Sequence, residues 1–259
     1  VTYDVYLFKN VPTLIFQHKG YIPMRKPNIP VISEPALNGN QHQDSPKQIL
    51  TAQVDHVSQQ LNQLNENQVL ERADLLLKLA AALTDLKEPY KAWTTAKEAF
   101  TLFIEVQEWQ KAVKTCAIMY KADQPDSLCA LGHAVWLAVT FPVDIDLTIE
   151  VLNHIIDDTP DDYDAAALAA ATAMYLTDIR ATEKEHENLS FFAGNILAQV
   201  ARRHSAIENQ DDLESWVKRL ELDDPSKFLP RLRNVLNILV SQDDWWIDTD
   251  AIHQLLPEG

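Results

Sequence analysis

The sequence predicts an all-α fold, a right-handed stack of antiparallel helix pairs, and three observations carry that prediction. Prolines recur at Pro89, Pro125 and Pro160, separated by 36 and 35 residues, each between the end of one helical pattern and the start of the next. That interval holds two antiparallel helices and two tight turns, a unit that buries its apolar face only against a neighbour. Apolar residues beyond Ser45 recur mostly three and four positions apart, the spacing of one helix face. A chain of 259 residues that is 46% hydrophobic also has the material for one elongated domain.

Three segments follow from this reading: an N-terminal arm over 1–45, a helical-repeat region over 46–205, and a C-terminal helical cap and tail over 206–259. Residues 1–47 hold six prolines, among them Pro12, Pro23 and Pro30, which exclude a helix. The stretches Val5 to Phe8 and Thr13 to Phe16 are short and rich in β-branched and aromatic residues, so a short hairpin and an extended arm both fit. A solvated tail is the plainer alternative, opposed by the density of Tyr3, Tyr6, Phe8, Phe16 and Tyr21, which such tails lack.

Ser45 and Pro46 read as the N-cap and first position of a helix carrying Ile49, Val54, Val57, Leu61 and Leu64. A second helix is expected over about 69–86, around Leu75, Leu76, Leu79 and Leu83. Pro89 opens a third with Trp93, Ala96 and Phe100, and Trp109, Val113, Cys116 and Met119 mark a fourth. Pro125 begins the next pair, with Leu128, Leu131 and Val135 and then residues 144–156. Pro160 begins another, an alanine-rich helix over 162–177 followed by residues 184–203. The period then breaks. Residues 213–222 and 228–240, the latter announced by Asp224-Pro225-Ser226, read as two cap helices, and Trp245-Trp246 opens a short amphipathic tail. Docking on its own cap is the plain reading of that tail; paired tryptophans also suit an anchor for a partner.

The triplets Leu128, Leu131, Gly132 with Val135, Trp93, Ala96, Lys97 with Phe100, and Leu168, Ala171, Thr172 with Tyr175 give the chain its resemblance to the tetratricopeptide family. Its first-helix pattern is large, leucine, glycine and aromatic at this spacing; Lys97 and Thr172 depart from the small position. The resemblance implies a concave groove lined by first helices. Mapped onto this chain, the groove wall comprises Lys91, Thr94, Glu98 and Thr101, then Asp126, Cys129, His133 and Trp136, then Ala166, Ala169, Ala173 and Leu176. Leu128 to Phe141 is apolar on both helix faces, so both faces need a cover: the arm, the C-terminal segment or a partner. Gly132 is expected to let the two helices of its repeat approach closely.

The formal charge of -16 is concentrated in the second half. Residues 121–180 hold two Lys/Arg against eleven Asp/Glu, whereas residues 1–50 hold five against three. Such a surface repels phosphate backbones and anionic membranes, so no nucleic-acid partner is expected; no charge-free apolar run of about 18 residues exists for membrane insertion. A basic protein partner is favoured by the same charge. Cys116 and Cys129 fit neither a disulfide framework nor a zinc site, and the first residues lack a leader pattern. A cytoplasmic protein is expected.

Chemistry-bearing patterns are few. Glu183-x-x-His186 places a carboxylate and an imidazole on one helix face, as in carboxylate-bridged metal bundles, but no second such motif exists; Asp250-x-x-His253 is the nearest echo. His133 among apolar neighbours reads as a core or groove histidine. The aspartates around Pro160 lack the glycine and spaced oxygens of a calcium loop. With five glycines there is no phosphate-cradling loop or nucleophile elbow. The sequence therefore leads to a non-enzymatic interaction protein without a cofactor, an adaptor, scaffold or assembly chaperone whose groove holds a peptide or helix, with self-association through the arm as a further expectation. A metal- or cofactor-binding helical enzyme using Glu183, His186 and His133, and a structural subunit of a larger complex, are the alternatives.

Overall fold

The computed structural model describes residues 46–241 and 245–253, and every regular element among them is a helix. The arm and Ser45 lie outside the described residues. The helices are α1 (Pro46–Gln63), α2 (Val69–Asp85), α3 (Pro89–Glu105), α4 (Trp109–Lys121), α5 (Ser127–Thr140), α6 (Ile145–Asp158), α7 (Asp164–Arg180), α8 (Glu183–Ser205), α9 (Gln210–Arg219), α10 (Pro225–Leu239) and α11 (Thr249–His253). Each of α1 to α8 packs on the next in the chain, as short connections between amphipathic helices require. Among the described residues no helix is long and apolar enough to cross a membrane.

The helix starts follow from local chemistry. Pro89 and Pro225 occupy first-turn positions of α3 and α10, where a missing N–H leaves nothing unpaired. Asp144 accepts the N–H groups of Asp146 (3.0 Å) and Leu147 (3.3 Å) at the start of α6; Asp224 does the same for Ser226 at α10 (2.9 Å). The ends are less legible. Lys87 and Gln107 adopt left-handed backbones (φ 61° and 60°), and the following N–H groups close onto Leu83 and Phe103 carbonyls at 3.0 and 2.9 Å. Two successive helix ends thus make the same turn without glycine.

One apolar core runs from Ala73 to Ile252 and includes Phe103, Met119, Leu137, Leu152, Leu197 and Trp216. Two arginines tie non-adjacent helices into it. Arg180, at the end of α7, forks onto the carbonyls of Ala138 and Val139 (2.6 and 2.7 Å), the orphaned acceptors at the end of α5. Arg203 of α8 reaches the Ile156 carbonyl near the end of α6 at 2.8 Å.

The expected outer cap is corrected by the position of α10. This helix packs across α5 and α7, well back along the chain. The second apolar face of α5 is therefore covered by the protein's own C-terminal segment. A Cβ on Gly132 would lie 2.5 Å from Val240 Cγ2, so this glycine admits the end of α10 and not the second helix of its own pair.

Candidate docking cleft

The expected groove wall divides in two. Lys91, Thr94, Glu98 and Thr101 are exposed on α3, with Glu98 held by Arg72 at 2.7 Å; Asp126 is exposed as well. Cys129, His133, Trp136, Ala166, Ala169, Ala173 and Leu176 are all buried. That corrects the expectation of an open apolar wall, because α10 and the Trp245-Trp246 segment already lie on it.

The tryptophan pair locks onto α3 and α5, with Arg233 of the cap helix α10 over Trp245. Trp246 stacks on His133 (centroids 4.5 Å) and meets Trp93 and Phe100 edge-on at 6.0 and 5.9 Å. Lys97 Nζ sits 4.4 Å from the Trp246 ring, and Arg233 lies over Trp136 and Trp245 at 5.6 and 5.3 Å, favourable cation–π positions. His133 Nε2 accepts the backbone N–H of Trp246 at 2.9 Å. The proton therefore resides on Nδ1, which donates to the Cys129 carbonyl at 2.8 Å. Burial lowers the imidazole pKa to about 4, with Lys97 acting in the same direction and the Cys129 carbonyl opposing.

An open cleft remains where α10 fails to seal against α5, α6 and α7. Its volume is about 760 Å³, within the roughly 300–1,000 Å³ range of ligand clefts. Leu128, Leu131, Ile155, Leu168, Val235 and Ile238 form its apolar surface. Leu128 and Ile238 are 48% and 72% exposed; Leu128, a core position in the repeat register, is corrected to a cleft residue. The rim is polar: Tyr163 stands exposed, Asp158 accepts the Tyr120 hydroxyl at 2.6 Å, and Asp164 is held by Arg231 (2.6 Å) and His204 (3.1 Å). Burial and the bond to Asp158 both raise the Tyr120 pKa, so the phenol stays protonated. The flanking Asp157 and Asp162 are exposed and make no ion pair among the described residues. Ile155, Val235 and Ile238 were not singled out by sequence; only the placement of α10 makes them neighbours.

The enzyme alternative finds a different arrangement from the one expected. His186 Nε2 pairs with Asp178 Oδ1 at 3.1 Å, while Glu183 is exposed. Ser190 Oγ lies 3.4 and 3.5 Å from the two ring nitrogens, at long hydrogen-bond distance. All of these except Asp178 belong to α8. Among the described residues no group of three or more His, Cys, Asp or Glu could hold a metal ion; the side chain of His253 falls outside them. No known family model, curated protein or solved structure matches the chain at a significant level.

Proposed function

We propose that the protein is a non-enzymatic protein–protein interaction module of helical-repeat type, acting as an adaptor or assembly chaperone that docks a short segment of another protein. The observation that carries this reading is the cleft: Leu128 and Ile238 stand exposed on its lining, while the apolar wall mapped from the sequence is buried. The identical turns after α2 and α3, and the in-order packing of the helices, support a repeat stack as the frame. The exposed Lys91, Thr94 and Thr101 of α3 supply a second, polar face for contact. Trp245 and Trp246 serve as an internal anchor in this reading.

Selection of short random peptides on the purified protein tests the proposal. Peptides that bind the wild type and lose about tenfold affinity, or about 1.4 kcal/mol, on Leu128→Glu or Ile238→Glu are expected. Binding indifferent to both substitutions moves docking to another surface, and absence of any binder removes the reading.

A further inference from the structure

The cleft joins an apolar floor to an acidic rim, and the chain itself contains a segment of the opposite character. Between residues 5 and 33 there are four basic residues, Lys9, Lys19, Arg25 and Lys26, and no Asp or Glu. They alternate with the apolar groups Val5 to Phe8 and Leu14 to Phe16. Acid exceeds base over the rest of the chain taken together, although residues 109–122 and 225–242 carry three Lys/Arg each and no Asp or Glu. Asp158 and Asp164 line the cleft and Asp157, Asp161 and Asp162 flank them in the chain; among the described residues their ion-pair partners are Arg203, Arg231 and His204.

We propose that the occupant of the cleft is the chain's own N-terminal segment, residues 5–26, docked in cis. This rests on the reading of the cleft as a peptide-docking site and names its resident peptide. Apolar side chains of the segment meet Leu128, Leu168, Val235 and Ile238, and its Lys and Arg side chains meet Asp157 and Asp162, which make no ion pair among the described residues. Reach permits it. The residues between Lys26 and Pro46 can extend about 65 Å at roughly 3.3 Å each. From α1 to α5 there are four helix-to-helix steps, at most about 40 Å at 8–10 Å each. Tethering supplies an effective concentration on the order of millimolar, whereas a second copy approaches against its own charge of -16. A partner protein then gains the cleft by displacing this segment.

Photo-crosslinking of the full chain with benzoylphenylalanine replacing Ile238 tests the proposal. Mass spectrometry should place the crosslinks within residues 5–26, on a product of monomer size whose yield is unchanged by dilution. Changing Lys9, Lys19, Arg25 and Lys26 together to Gln should lower that yield about tenfold. Dimer-sized products that vanish on dilution overturn cis docking in favour of a second copy. Crosslinks only outside residues 1–45 overturn the proposal while peptide selection at the cleft leaves the docking reading intact; failure of both experiments removes both.

Discussion

Trp246 donates its backbone N–H to His133 Nε2 at 2.9 Å, across a sequence separation of 113 residues. The bond fixes the tautomer of a buried histidine and fastens the C-terminal segment to the middle of the molecule. Protonation of Nε2 would set two donors against each other.

The first prediction concerns acid. His133 has an ordinary pKa of 6.5 and a folded value of about 4, so the unfolded chain binds the proton first as pH falls. Its contribution is complete above about pH 6.5 and declines between there and about pH 4, by up to about 3 kcal/mol. Burial lowers the His154 pKa as well, in the same sense. Urea unfolding at neutral and mildly acidic pH should show a steeper loss for the wild type than for His133→Gln. Parallel losses would remove the assigned role.

Gly132→Ala should destabilise by about 1–3 kcal/mol, the usual range for overpacking, because Val240 is β-branched and cannot swing away. In a Val240→Ala background the sign should reverse, since alanine is the better helix former by about 1 kcal/mol. A double-mutant cycle measured by thermal unfolding reads the coupling.

Lys87→Gly and Gln107→Gly should each raise stability by about 1 kcal/mol, the lower range of the penalty for a left-handed non-glycine backbone. A fall in melting temperature for both would show that the side chains at these turns contribute more than the backbone relief.

Arg180→Met keeps most of the apolar stem and removes the fork over the Ala138 and Val139 carbonyls. A loss of about 1–3 kcal/mol is expected for buried acceptors left unpaired. Amide exchange should quicken at the end of α5 before it does elsewhere.

Helix positions were legible because proline and helical spacing are local signals: Pro89 and Pro225 mark starts, and Trp93, Ala96 and Phe100 mark a face that the structure buries. The turns at Lys87 and Gln107 carry no glycine, so their left-handed backbones left no trace. The need for a second cover on α5 was readable from its apolar circumference. Its identity was not, since nothing local distinguishes α10 from the arm as the covering element. The cleft was hidden for the same reason: Leu128 reads as core by register, and its exposure depends on where a helix about 100 residues later comes to rest.

The return of α10 onto α5 and α7 also orders events during biosynthesis. Neighbouring helices pair as they emerge, through contacts of short sequence separation that form quickly. The apolar face of α5, with His133 and Trp136, must wait for residues 225–246 to be made. Until then the nascent chain displays a sticky surface of the kind that chaperones shield. A transcript truncated before Pro225 would leave that surface permanently bare, and its product should aggregate although all of α1 to α9 is present.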